Sequence, residues 1–225
     1  MTTEPMVISL GGSVLVPNGL DSRWLRGFVR TVRQIARRRQ VVIIAGGGST
    51  ARKFVAGARA AGISDTRSLH WIGVRACQLN AAVLRAAFGL SGELVTDRTT
   101  IARRRDRIMI VAPSVPGTTS DYGSVLLARQ IKAGVIFNVT NVDGVYTADP
   151  KISRSARRID EITWSAFMKM FGRSVKPGMH VPFDPVASRL AARSGLSVVV
   201  MSSRLTNLRR AISGQGFQGT VIRPA

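Results

Sequence analysis

The sequence predicts an α/β fold, a three-layer αβα sandwich on a mainly parallel sheet, and three observations carry that expectation. Strand-like apolar runs alternate with helix-like segments along the 225 residues. Three loops rich in glycine and hydroxyls each follow an apolar run: Gly11-Gly12-Ser13 after Val7, Ile8 and Leu10; Gly46-Gly47-Gly48-Ser49-Thr50 after Val41–Ala45; and the stretch from Thr140 to Pro150 after residues 135–139. No linker, repeat or low-complexity tract divides the chain, so one domain is expected over residues 1–225. About residues 1–130 would form an acceptor-side lobe and about 131–225 a donor-side lobe.

The elements follow in order. Leu25, Phe28, Val29, Val32 and Ile35 recur at spacings of three and four, which describes an amphipathic helix returning to the strand at Val41–Ala45, the logic of a βαβ unit. A second helix is expected from Ser49 or Thr50, either of which can cap it, through Phe54, Val55 and Ala58. Residues 73–88, rich in Ala, Leu and Val, predict a third. Ile108–Val111 reads as a short strand, residues 124–131 as a helix, 135–139 as a central strand, 198–201 as a late strand and 220–222 as an edge strand. Residues 153–176 are less regular, and Pro177-Gly178, Pro182 and Pro185 mark turns.

Composition narrows the class. At 45% apolar the chain can bury a large core. No apolar stretch reaches the ~18 residues of a membrane-spanning helix, and Met1 to Pro5 do not read as a secretory signal, so a cytoplasmic location is expected. One cysteine, Cys77, and two isolated histidines, His70 and His180, make neither a disulfide nor a zinc site, and no metal-ligating cluster is expected. Thirty-three basic residues against 12 acidic ones give a net charge of +21, much of it in arginine clusters such as Arg37-Arg38-Arg39 and Arg103-Arg104-Arg105. Such a field attracts polyanions. Aromatics are scarce and no nucleic-acid module is visible, so nucleic-acid contact is the lesser reading beside solvated basic faces.

The loops sit where open α/β sheets bind ligands, at strand carboxyl ends, and loops without Cβ atoms let backbone N–H groups approach phosphate oxygens. Neither G-x-x-x-x-G-K-[ST] nor G-x-G-x-x-G occurs, which argues against a P-loop kinase and a dinucleotide enzyme. Instead, Gly46-Gly47-Gly48-Ser49-Thr50-Ala51-Arg52, the run from Thr140 to Pro150, and Phe183-Asp184-Pro185-Val186-Ala187, in that order, resemble the amino acid kinase family, and within it the archaeal and short bacterial branch that phosphorylates uridine monophosphate (UMP). The resemblance spans essentially the whole chain. It implies an αβα sandwich, Mg-ATP as phosphoryl donor, UMP as acceptor, and commonly a hexamer built from dimers.

Position by position, the resemblance places Gly11, Gly12 and Ser13 over the donor phosphates, with Gly48 and Arg52 at the transferring group. Thr140, Asn141, Tyr146 and Asp149 would hold the adenosine. Gly46 and Gly47 would surround the acceptor phosphate, with Ser114, Val115, Pro116, Gly117, Thr118, Thr119 and Ser120 as the turn that contacts UMP. Asp121 and Asp184 are the carboxylates that would arrange the positive groups, and Lys176 is expected to neutralise phosphate charge. Arg52 lies four residues beyond Gly48, one helical turn in, where a guanidinium can fork onto phosphate while the helix N-terminus adds partial positive charge. A general base is not needed, because an acceptor phosphate oxygen is already nucleophilic; positioning and charge neutralisation suffice.

Some positions depart from the family pattern. Ser9 stands where many members carry lysine, His70 where an acid grips the ribose, Gln78 where arginine is usual, and Ala112-Pro113-Ser114 replaces a glycine-rich turn. An imidazole can still hydrogen-bond a hydroxyl. These departures keep open a kinase for another phosphorylated small molecule, such as isopentenyl phosphate, and a non-catalytic nucleotide- or RNA-binding relative. The isopentenyl phosphate branch uses a histidine near the first glycine loops, and none precedes His70.

Overall fold

A computed structural model describes residues 4–91, 94, 106–150, 152–172 and 181–224. The strands are β1 (Met6–Leu10), β2 (Val41–Ala45), β3 (Ile108–Val111), β4 (Val135–Thr140), β5 (Val145–Tyr146), β6 (Arg158–Ile159), β7 (Glu161–Thr163), β8 (Ser197–Ser202) and β9 (Thr220–Arg223). Among the described helices are α1 (Gly12–Leu15), α2 (Ser22–Ala36), α3 (Gly48–Ala60), α4 (Thr66–Phe88), α5 (Ser120–Ile131), α6 (Trp164–Phe171), α7 (Pro185–Arg193) and α8 (Leu205–Ile212).

Seven strands form one sheet in the order β3-β2-β1-β4-β8-β9-β7, and β5 pairs with β6 in a separate antiparallel ribbon. Every neighbouring pair in the sheet is parallel except β8 with β9. The alternation of side chains along a strand then divides the core in two. Met6, Ile8 and Leu10 of β1 join Val41 and Ile43 of β2 and Phe137 and Val139 of β4 on the face covered by Leu25, Phe28 and Val32 of α2 and Ala81 and Leu84 of α4. Val7, Val42, Ile136, Val198 and Val200 point the other way, against Val125 and Ala128 of α5, Trp164 and Phe167 of α6, and Ala187 and Ala191 of α7. Strands buried on both faces are what the continuous apolar runs require, and two helical layers follow.

Local chemistry sets the helix ends. Asp65 caps α4 by accepting from Ser68 N at 2.7 Å, and Gly89 closes it at φ 66°. The helix therefore begins seven residues before the residue-73 start expected from its Ala, Leu and Val content. Thr119 caps α5 through Tyr122 N, and Thr163 caps α6 through Ala166 N. Each such cap contributes about 1 kcal/mol.

The structure corrects two expectations and adds one observation on α3. The strand at the carboxyl terminus is not an edge: β9 lies between β8 and β7, and the edge is β7, inside the segment read as irregular. Neither Ser49 nor Thr50 caps α3; the cap position is Gly47, and Ser49 turns its hydroxyl to the carbonyl of Val16 instead. Phe54 of α3 is 66% exposed, because α3 packs on α4 outside the two main layers, with Ser49 alone among its described residues buried.

Candidate active site

The carboxyl ends of β1, β2 and β4 bring the three loops to one edge. Gly11 N donates to Val139 O at 2.8 Å, so the first loop is hydrogen-bonded to the end of β4, and Gly46 N donates to Leu10 O at 2.9 Å, so the second is bonded to the end of β1. The first two loops touch backbone to backbone. A Cβ on Gly12 would fall 2.3 Å from Gly46 O and 2.5 Å from Gly48 N; one on Gly48, whose φ is +55°, would fall 2.1 Å from Gly12 C. Glycine is required at both positions by space, and at Gly48 by its left-handed conformation as well.

This contact places Gly12-Ser13 beside the N-terminus of α3, where N–H groups without an intrahelical acceptor carry the positive end of the helix dipole. Arg52, exposed on the second turn of α3, donates from Nη2 to Ser13 Oγ at 2.9 Å and so bridges the two loops. The arrangement offers backbone donors and a guanidinium to one anionic group, which is the chemistry of a phosphate site.

Two carboxylates lie beneath the loops. The Asp184 N–H donates to Asp121 Oδ2 at 3.0 Å, Ser9 Oγ donates to Asp121 Oδ1 at 3.3 Å, and Asp184 Oδ1 caps α7 by accepting from Ala187 N at 2.7 Å. Burial pushes the Asp121 carboxyl up to about 6; the hydrogen bond from Asp184 N–H opposes the rise, the Asp184 charge adds to it, and the Ser9 hydroxyl again opposes it. A carboxyl on the first turn of α5 thus holds its proton to higher pH than an ordinary aspartate does, beside a second carboxylate.

The turn from Ser114 to Ser120 lies against α4. A Cβ on Gly117, at φ +81°, would sit 3.9 Å from His70 Nδ1, and one on Gly46 would sit 3.3 Å from Ser120 Oγ. His70 is therefore next to the turn assigned to UMP, while Val115 is 53% exposed and Thr118 Oγ1 donates to Val115 O at 2.9 Å. Gln78, at the position where the family usually carries arginine, donates to Pro113 O at 3.3 Å and accepts from Arg75 Nη1 at 2.7 Å. It ties the Pro113-Ser114 segment to α4.

At the third loop, Thr140 ends β4 and its Oγ1 donates to Asn141 Oδ1 at 3.3 Å. Tyr146 lies in β5, and its hydroxyl donates to Asp143 Oδ1 at 2.9 Å, which raises the tyrosine pKa. The carbonyl of Asp149 accepts from Ile152 N and Ser153 N, a turn role additional to the expected one. Lys176 lies outside the described residues. Cys77, against Gly47, is pushed up to about 11 by burial and is chemically inert there.

Two positioning groups were not read from the sequence. Asn80 of α4, 2% exposed, donates its amide to Gly46 O at 2.8 Å and to Gly47 O at 3.2 Å, drawing both carbonyls inward. Its sequence signal is a lone amide in the buried series Cys77, Asn80, Ala81 and Leu84. Asn138, 4% exposed in β4, donates to Pro182 O at 3.0 Å and ties the segment leading to Asp184 to the sheet; an amide in the middle of an apolar strand is the corresponding signal.

A fold with three sheet-edge loops and a paired carboxylate site places the chain in a known class. The sequence pattern of the amino acid kinase family matches residues 4–202, and the chain belongs to that family. It is 36% identical over 221 residues to the uridylate kinase of Archaeoglobus fulgidus, covering 96% of this chain and 99% of that one. It is 35% identical to the uridylate kinase of Methanothrix thermoacetophila, covering 97% and 99%. The crystal structure of the Archaeoglobus fulgidus uridylate kinase matches with a TM-score of 0.84 at 34% identity, over 96% of this chain and 99% of that chain. Aspartate kinase from Synechocystis, at 17% identity, a TM-score of 0.73 and coverage of 98% of this chain and 40% of that one, shares the fold alone.

Proposed function

We propose that this protein transfers the γ-phosphoryl group of ATP to UMP, giving UDP and ADP. The observation that carries the reading is the backbone contact of Gly12 with Gly46 and Gly48, bridged by Arg52 to Ser13, in a chain similar to uridylate kinases from end to end. In this reading Gly11, Gly12 and Ser13 hold the donor phosphates. Gly46 and Gly47 hold the acceptor phosphate, and Gly48 with Arg52 meets the group in transit between them. The backbone packing fixes the separation of the two loops, and in-line transfer needs little else from the protein than that positioning and positive charge.

His70 and the turn from Ser114 to Ser120 face the ribose and phosphate of UMP, and Thr140, Asn141, Tyr146 and Asp149 face the adenosine. Among the described residues no group of three metal-ligating side chains occurs. Mg²⁺ is proposed to arrive with ATP, since this ion is commonly held by one or two carboxylates together with substrate phosphates. Asp184 is the protein group that would meet it, and the ion would supply charge neutralisation of the triphosphate. Lys176 is proposed as a further cation at the site.

No described helix is long and apolar enough to cross a membrane, and the cytoplasm is proposed as the place of action because both substrates are water-soluble nucleotides. Assembly as a dimer or hexamer is part of the same proposal. Phe54 at 66%, Leu79 at 56% and Ile63 at 41% exposure, on and between α3 and α4, support it.

The test is ADP release from Mg-ATP with UMP, CMP, AMP, isopentenyl phosphate or no acceptor. Turnover selective for UMP is expected. Turnover with another acceptor only would overturn the substrate, and ATP binding without any turnover would overturn the activity.

A further inference from the structure

The loops occupy the carboxyl edge of the sheet, and the opposite edge holds a cavity of about 440 Å³ whose lining includes Arg129, Lys132, Arg193, Ser194 and Glu4. Arg129 lies in the last turn of α5, Lys132 is the C-cap of that helix, and Arg193 ends α7, shortly before β4 and β8 begin. All three cations are exposed. Among the described residues, Glu4 is the only acid in this lining.

The basic character continues along the same edge. β3, β2, β1, β4 and β8 are consecutive and parallel, so their amino ends lie side by side over about 19 Å at the usual interstrand spacing of ~4.8 Å. Arg37, Arg38 and Arg39 stand between α2 and β2, and Arg107 precedes β3, where its carbonyl accepts from Val41 N. Cations in the last turn of a helix offset its dipole, and that accounts for Arg129 and Arg193. Lys132 and Arg37, the C-cap residues of α5 and α2, share that role; it does not account for Arg39 and Arg107, which lie beyond the helix ends beside β2 and β3, in a chain with 33 basic and 12 acidic residues.

We propose that this amino edge binds the phosphodiester backbone of a nucleic acid, a function beyond the phosphoryl transfer at the opposite edge. The basic rim selects a long anion over a single phosphate: at ~3.4 Å per nucleotide of one duplex strand, 19 Å spans about five to six phosphates. Among the described residues no aromatic side chain lines the cavity to stack on a base, so recognition is of the backbone and independent of sequence.

The test uses fluorescence anisotropy of two unrelated 20-base-pair DNA duplexes with the full chain. Both duplexes should bind at 50 mM salt with equal affinity and weaken steeply as salt rises. The variant Arg129→Gln/Lys132→Gln/Arg193→Gln should reduce the slope of log K against log salt by about 2.7, at ~0.9 per lost phosphate contact. Arg23→Gln/Arg26→Gln/Arg30→Gln, an equal loss of charge on α2, should leave the slope in place. ADP release by the edge variant should stay within twofold of the parent, which verifies its fold. No binding at 50 mM salt, equal loss of slope in both variants, competition by saturating ATP with UMP, or tighter binding of tripolyphosphate than of duplex would each overturn the proposal.

Discussion

Gly48→Ala tests whether the contact between the glycine loops sets the reaction geometry. The added Cβ would lie 2.1 Å from Gly12 C and 2.2 Å from Ser13 N, both backbone atoms that no rotamer change can move aside, whereas ordinary contact begins at 3.4 Å. The loops must separate by about 1.3 Å, and misplacement of ~1 Å between reacting groups can cost on the order of 100-fold in rate. Alanine at φ +55° costs a further ~1–2 kcal/mol. We expect kcat/KM for ADP release with ATP and UMP to fall by about 100-fold or more, and Tm to fall by several degrees. Gly57→Ala, in the same helix with nothing within 4 Å of the new Cβ, should leave activity unchanged and raise stability by up to ~1 kcal/mol. If Gly48→Ala turned over within threefold of the parent, the loop contact would not control the chemistry.

Three further predictions concern neighbouring groups. Asp121 has its folded pKa raised from 3.8 to about 6; the folded state binds the extra proton between those values, so stability should fall as pH rises through that window, by on the order of 3 kcal/mol. Urea unfolding at pH 4 and pH 7 should show this loss in the parent and its absence in Asp121→Asn; an equal loss in the variant would refute the assignment. Asn80→Ala removes both bonds to the Gly46 and Gly47 carbonyls and should cost about 2–4 kcal/mol in denaturant unfolding and at least tenfold in kcat; an unchanged kcat would limit Asn80 to stability. Arg52→Gln removes the guanidinium that bridges to Ser13 and should lower kcat by roughly 100-fold with a small change in the KM for UMP; a change confined to KM would move Arg52 from the transferring group to ground-state binding.

What the sequence made legible was local. Apolar runs ending in glycine gave β1 and β2, and one ending in Thr140-Asn141 gave β4, because buried strand and tight turn leave residue-level marks. The rank of β9 within the sheet did not, since an antiparallel return beside β8 and a parallel β7 beyond it are settled by long-range pairing. The helix through Phe54, Val55 and Ala58 was legible, but not that Phe54 faces outward, because α3 rests on another helix and not on the sheet. Ser9 was visible as a departure from a lysine pattern, but its hydrogen bond to Asp121 depends on β1 and α5 meeting across 112 residues of chain. Asn80 and Asn138 act through backbone carbonyls far away in sequence, and only their burial marks them.

The most direct measurement of the central claim is a crystal structure of the protein with UMP and a non-hydrolysable ATP analogue. The account predicts the triphosphate against Gly11, Gly12 and Ser13, the UMP phosphate against Gly46 and Gly47, and the Arg52 guanidinium within hydrogen-bond reach of the γ-phosphate. Nucleotides bound away from the carboxyl ends of β1 and β2, or loops that part to admit them without Arg52, would contradict it.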